Sequence, residues 1–331
     1  MTVPRSSLRF CDDSAPGITR RRRGRYWQYF DADGGRITDR EEIERLNRIR
    51  MPPAYKRCWF SPDARGHLQA TGFDARGRKQ YRYHTDFRAQ REAGKFGLCG
   101  AFGAALPRLR VRVEQDLAFR KPGRDRAIAA IVRLLDIGLI RIGNARYAEE
   151  NGSYGATTLE ARHAELRSRS LRLSFRAKSG KERELVIRDP GLVRFVRQMQ
   201  DLPGQRLFRY VDEDGEAHDI GSAEVNAYIQ EHMGAPFTAK HFRTWGGSVV
   251  AFATLASAKE RISLKEMIAP VAEQLSNTAA ISRKSYIHPA LTALCQEGQE
   301  EWRATLRLPR ATQWLTREER GLIALLESSG D

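Results

Sequence analysis

Hydrophobic positions follow two rhythms along this chain, and the rhythm changes near residue 90. Before it come short strand-like runs: YWQYF at 26–30, AYKRCWF at 54–60, HLQATGF at 67–73 and RKQYRYH at 78–84. DADGG (31–35) and DARG (74–77) supply the turn residues, and DARG predicts a hairpin between the last two runs. One short helix is predicted over 39–50. Residues 1–19 carry little pattern and are expected to fray. The basic run Arg20 to Arg25 fits a solvated tail as readily as a phosphate contact.

After residue 90 the period becomes helical. Ile128, Ile131, Val132 and Leu135 share one face over 124–137, with Gly138 placed to cap the helix. Asp189-Pro190 predicts an N-cap with proline at the first helical position, opening a helix to about 201. Ser263 and Glu266 have capping-box spacing, and Pro270 should kink or shorten the helix that follows. Between these helices, 156–188 reads as strand: LRLSF alternates, AKSG turns and ERELVI returns. The fold class is therefore α+β. A small β-rich N-terminal domain spans 1–90 and a larger, mainly helical domain with one small sheet spans 91–331.

Charge narrows the partner. Lys and Arg number 57 against 41 Asp and Glu, a net charge of +16, with an isoelectric point near 10.1. Residues 1–90 are the denser surface, with 20 basic and 11 acidic side chains. Such a field suits a phosphate polymer. No run of 18 apolar residues occurs, so no membrane partner is expected. The N-terminus lacks a signal-like apolar segment, and Cys11, Cys58, Cys99 and Cys295 form no CxxC pair. A reducing, cytoplasmic setting follows.

Several chemistries are missing. Gly180-Lys181 has Phe175 where a P-loop needs its first glycine. DADGG and DEDGE lack the glycine of a calcium loop and read as hairpin turns, and no HExxH occurs. The seven histidines are dispersed, so no metal site is expected, and His163, His218 and His232 are assigned to surface or packing.

Four motifs remain, in order: RIGNARY around Arg141, FRAKSGK around Lys178, KHFRTW around Lys240 and Arg243, and SRKSYIHP around Tyr286. Phosphodiester transfer needs a nucleophile, donors for the charge on the phosphorus, and a proton for the leaving alkoxide. Arginine's planar fork grips two phosphate oxygens and stays charged. Lysine can protonate a sugar oxygen, and tyrosine can hold the phosphoryl group as an ester. Lys178 falls at the predicted hairpin tip. Lys240 and Arg243 are three apart on one helical face, with Phe242, Trp245 and Val249 turned to the core.

With HLQATGFDARGRKQYRYH and KHFRTWGGS, these motifs resemble the type IB DNA topoisomerases, in particular the compact poxvirus-like enzymes of bacteria. The resemblance runs from about residue 26 to 300. It implies a β-rich domain and a helical catalytic domain with a small three-stranded sheet, clamped around double-stranded DNA. It implies nicking through a 3′-phosphotyrosyl bond, rotation and resealing, with no ATP, metal or other cofactor. Tyr286 would be the nucleophile, and Arg141 and Arg243 would hold the non-bridging oxygens. Lys178 would protonate the 5′-oxygen and Lys240 would assist. Tyr147 would position the phosphate, and Gln80, Tyr81 and Tyr83 would lie in the major groove. Asn277 stands where many members have a histidine, nine residues before the nucleophile, and would be a neutral donor. A monomer associated with the nucleoid is expected, with 85–100 (Gly94, Gly97, Gly100) as a hinge. The alternatives are a tyrosine recombinase, which generally has HxxR where this chain has Lys240-His-Phe-Arg243, and a DNA-binding module without catalysis.

Overall fold

The computed structural model describes residues 8–94, 96–121, 123–200 and 205–328, with backbone alone at 90–93 and 147. The chain forms two compact units divided between Lys95 and Phe96.

The first unit holds strands β1 (Ile18–Arg23), β2 (Tyr26–Phe30), β3 (Lys56–Phe60), β4 (Leu68–Phe73) and β5 (Lys79–Tyr83), with helices α1 (Arg40–Arg48) and α2 (Thr85–Ala93). The sheet order is β2-β1-β3-β4-β5, antiparallel throughout. Asp39 caps α1 by accepting from the Glu41 N–H at 3.0 Å. Tyr29, Leu46, Met51, Phe60 and Ala70 form the core.

The arginine run is not a tail. It forms β1, inside the sheet between β2 and β3. Alternation turns Ile18 and Arg20 inward. Arg20 lies 4.0 Å from the Trp27 ring centre and donates to the carbonyls of Met51 (2.9 Å) and Pro52 (2.6 Å). Arg21 lies 4.9 Å from the Phe30 ring. Aromatic faces accept guanidinium charge, so a strongly basic strand finds partners without acids. Polarity alone misread this segment.

The second unit is mainly helical. In chain order it has α3 (Cys99–Ala118), α4 (Arg124–Gly138), α5 (Ala145–Asn151), β6 (Ala164–Leu166), β7 (Leu171–Arg176), β8 (Glu182–Ile187) and α6 (Pro190–Gln200). There follow β9 (Arg209–Val211), β10 (Ala217–Asp219), α7 (Ser222–Met233), α8 (Ala239–Ser257) and α9 (Leu264–Gln274). The chain finishes with α10 (Ala279–Tyr286), α11 (Pro289–Gln296), α12 (Gln299–Thr305) and α13 (Arg317–Ser328). Strands β6-β7-β8 make a three-stranded antiparallel sheet, and β9-β10 pair around the DEDGE turn. No helix among the described residues is long and apolar enough to cross a membrane.

Helix α4 is the axis of this unit. Ala127 to Val132, Leu134 and Leu135 are all buried, so the middle of the helix is enclosed on every side. Its end differs from the sequence expectation. Gly138 stays helical, and Leu139 takes the left-handed cap at φ 49°. Leu139 is buried against Gly246, where an added Cβ would come within 2.4 Å of it. Tertiary packing therefore overrides the ordinary preference for glycine at the cap. Asp189 accepts from Leu192 N–H at 2.8 Å, and the Ser263–Glu266 box caps α9. Helix α9 continues past Pro270 to Gln274. Gly100 lies within α3 facing Leu326, and Lys95 is outside the described residues.

Trp245 of α8 fixes that helix against its neighbours. Its ring occupies the space where a Cβ on Gly103 of α3 would sit, 2.2 Å away. Its indole N–H donates to Glu319 of α13 at 3.3 Å. Glu319 is also held by Arg110 at 2.7 Å, and Arg110 in turn binds Asp136 at 2.8 Å. Gly103→Ala should force this buried ring aside at a cost of about 1–3 kcal/mol. At roughly 2–4 °C per kcal/mol, calorimetry should record a lower Tm with the fold retained.

Candidate active site

The end of α4 passes directly into RIGNARY, and two glycines let that segment lie flat on its neighbour. Gly143 has φ +98°, and a Cβ on Gly155 would meet the Arg141 carbonyl and the Gly143 nitrogen at 2.5 Å. The Ala156 and Thr157 N–H groups donate to the carbonyls of Arg141 (2.9 Å) and Ile142 (2.7 Å). This seats the Arg141 backbone. Its guanidinium donates to Asn277 Oδ1 at 2.9 Å.

Arg243 projects from the first turns of α8 and is 4% exposed. It donates to the carbonyls of Leu139 and, at 3.1 Å, Leu275. These are the residues that follow the ends of α4 and α9. Its guanidinium carbon lies 4.8 Å from the Tyr286 ring centre. Lys240, one turn earlier, is exposed.

Tyr286 is the last residue of α10. The GGS of KHFRTWGGS seats it. A Cβ on Gly247 would come 2.6 Å from the Tyr286 carbonyl, and Ser248 Oγ donates to that carbonyl at 3.3 Å. The next glycine back, Gly246, seats Leu139. One stretch of α8 thus docks the Arg141 segment and the tyrosine together.

A third guanidinium was not foreseen. Arg183 of β8 is 9% exposed and donates to Ser276 Oγ (2.6 Å) and to the carbonyls of Gln274 (2.6 Å), Gly138 (3.2 Å) and Glu273 (3.4 Å). The sequence did carry a signal. In ERELVI, Arg183 is in phase with Leu185 and Ile187, on the inward face of the strand. A cavity of about 20 Å3 lies among Arg141, Arg183, Arg243, Tyr154, Ala177 and Ser276.

Ala177 is the base of the hairpin that carries Lys178. Its N–H donates to the Lys181 carbonyl at 2.7 Å, and Ser179 and Gly180 both have positive φ. Lys178 is exposed at the tip, as its sequence position suggested. Asn277, just before the Thr278 cap of α10, joins Arg141. The Tyr147 side chain lies outside the described residues. In the first unit, Tyr81 and Tyr83 stack with rings 6.1 Å apart on one face of β5. Gln80 faces the other way and donates to Asp74 at 3.0 Å. These three side chains do not share a face.

The site is electrostatically lopsided. The acceptors of its arginines are carbonyls, one hydroxyl and one amide oxygen, none of them charged. Burial, with Arg141 nearby, pushes Arg243 down to about 10. Burial and Arg141 also lower Arg183. Burial by itself would raise the Tyr286 phenol, but Arg243, Arg141 and Lys240 outweigh it and bring it below the ordinary tyrosine value. Arg243 Nε and Asn277 Nδ2 are buried donors with no acceptor. A tyrosine beside guanidiniums with donors to spare is equipment for phosphoryl transfer.

Comparison with known proteins agrees with this chemistry. The family described as bacterial DNA topoisomerase IB, N-terminal domain, matches residues 26–74. The family described as eukaryotic DNA topoisomerase I, catalytic core, matches residues 84–293. DNA topoisomerase 1B of Acanthamoeba polyphaga mimivirus is 32% identical over 298 residues, 86% of this chain and 89% of that one. DNA topoisomerase 1B of Vaccinia virus (strain Copenhagen) is 21% identical over 268 residues, 78% of this chain and 83% of that one. The chain belongs to the type IB DNA topoisomerase family and is an enzyme of that class.

The charges around Tyr286 predict its titration. A difference ultraviolet titration, intact protein minus Tyr286→Phe, isolates this phenol and should show it ionising below ordinary tyrosine. Arg243→Gln removes a neighbouring cation and should move the midpoint up. An unmoved midpoint would assign the effect elsewhere.

Proposed function

We propose that this enzyme relaxes supercoiled duplex DNA by nicking one strand through a 3′-phosphotyrosyl ester and resealing it, without ATP or metal. The observation that carries the reading is Tyr286 against Arg243, with Arg141 and Asn277 joined beside it. The Tyr286 oxygen attacks the scissile phosphorus as its phenolic proton passes to solvent water. The bond from phosphorus to the 5′-oxygen breaks, and Lys178 at the hairpin tip gives that oxygen its proton. Lys240 assists the transfer. Arg141 and Arg243 hold the non-bridging oxygens, and the Asn277 amide donates without carrying charge.

The free 5′-hydroxyl end then rotates, and its oxygen attacks the phosphotyrosine to reverse both bond changes. The ester stores the energy of the broken bond, so no ATP is consumed. Tyr147, Gln80, Tyr81 and Tyr83 contact DNA in this reading, and the two units close around the duplex. One chain contains the whole site, which supports a monomeric enzyme at the nucleoid. Membership of the topoisomerase family decides against the recombinase alternative.

Relaxation of supercoiled plasmid in EDTA without ATP tests this. The intact enzyme should relax it, and Tyr286→Phe should bind plasmid but leave it supercoiled. Relaxation by both would sink the assignment of the nucleophile. Asn277→Ala should slow single-turnover cleavage by about 10²-fold if its amide meets developing charge. An unchanged rate would remove that residue from the site. Binding should weaken steeply with salt because phosphate contacts dominate.

A further inference from the structure

We infer that Arg183 is a positioning residue for strand cleavage, the joint that locks the Arg141–Asn277 pair to the hairpin bearing Lys178. This rests on the cleavage reading above and adds to it a residue whose guanidinium is held by protein acceptors.

The contacts of Arg183 are all to protein, and they fall on two helix ends. Gly138 is the last residue of α4, three before Arg141. Gln274 ends α9, and Ser276 immediately precedes Asn277. The bond from Arg141 to Asn277 then closes a ring of interactions through Arg183, the α4 end and the α9 end. Arg183 itself sits on β8, five residues beyond Lys178 across the turn. One side chain thereby fixes three elements that no continuous helix or sheet joins.

Two features make that joint specific. Ser276 has φ 50°, a left-handed conformation unfavourable for a residue with a Cβ. Its hydroxyl is the closest acceptor of Arg183 together with the Gln274 carbonyl, at 2.6 Å each. Arg183 thus pins the strained residue next to Asn277. The guanidinium is also the only side-chain cation whose rigid fork donates in divergent directions. A lysine at this place keeps the charge and holds fewer of the four acceptors.

Placement errors of about 1 Å at a reacting centre cost on the order of 10²-fold in rate. Single-turnover cleavage of a short duplex by Arg183→Met should therefore fall about 10–100-fold. Duplex affinity, measured in a Tyr286→Phe background, should change by less than about threefold, since both terminal nitrogens of Arg183 are already engaged by protein acceptors. Arg183→Lys should recover part of the loss. Arg183→Met combined with Asn277→Ala should lose less than the product of the two single losses, because both act partly through one pair. Should Arg183→Met fail to fold, Ser276→Ala keeps the arginine and removes one acceptor, and should still slow cleavage several-fold.

An unchanged rate in Arg183→Met or Ser276→Ala would overturn the proposal. So would multiplicative losses in the double variant, or equal loss of affinity and rate. Failure of the intact enzyme to cleave would instead bring down the cleavage reading, and this inference with it.

Discussion

Buried positive charge without a carboxylate partner is the constraint on which the catalytic unit depends. Desolvating a guanidinium is costly unless its donors are met. Here Arg183 and Arg243 meet carbonyls at and just beyond the C-termini of α4 and α9. Helix C-termini carry partial negative charge and unpaired carbonyls, so they offset burial without neutralising the cation. A carboxylate in the same place would cancel the field that a phosphate requires. The arrangement leaves net positive charge beside Tyr286: burial and then Arg141 lower Arg243, while the neighbouring cations outweigh burial and lower the phenol.

Close packing converts this chemistry into fixed geometry. Gly246 and Gly247 are adjacent on α8, and each admits one partner that any side chain would exclude: Leu139 and the backbone of Tyr286. Trp245, next to them, is wedged onto Gly103 and bonded to Glu319. The C-terminal helix meets α8 at this indole and again where Gly321 lies on the Phe252 ring. Arg110 holds Glu319 ionised despite its burial. The helix that bears the site is packed against α3, α9, α10 and α13.

The first unit solves a related problem differently. Its arginines lie over aromatic rings and on carbonyls, so a strand reading ITRRRR fits within a sheet. Its outer faces stay basic. Tyr81 and Tyr83 form a stacked pair on the edge strand β5, with Lys79 5.6 Å from the Tyr81 ring.

Much of this was legible in the chain. Alternation located four of the five strands of the first sheet, and helical spacing located α4. Turn and cap residues located the β7–β8 hairpin and the starts of α6 and α9. Motif order brought Arg141, Lys178, Lys240, Arg243 and Tyr286 into one reading, and the family resemblance added Asn277. These are local properties, written in residue type and spacing. Other features depended on contacts between residues far apart in sequence. The strand phase of Arg183 points it inward, but its role arises only where two helix ends converge on it. Leu139 took a glycine's conformation because Gly246 left room for its side chain. The RRRR run became a strand because Trp27 and Phe30 were there to receive it. Sequence by itself determined the groups able to handle a phosphodiester. Tertiary structure decided which cations were buried with neutral partners, because desolvation and acceptor geometry exist only once the chain has folded.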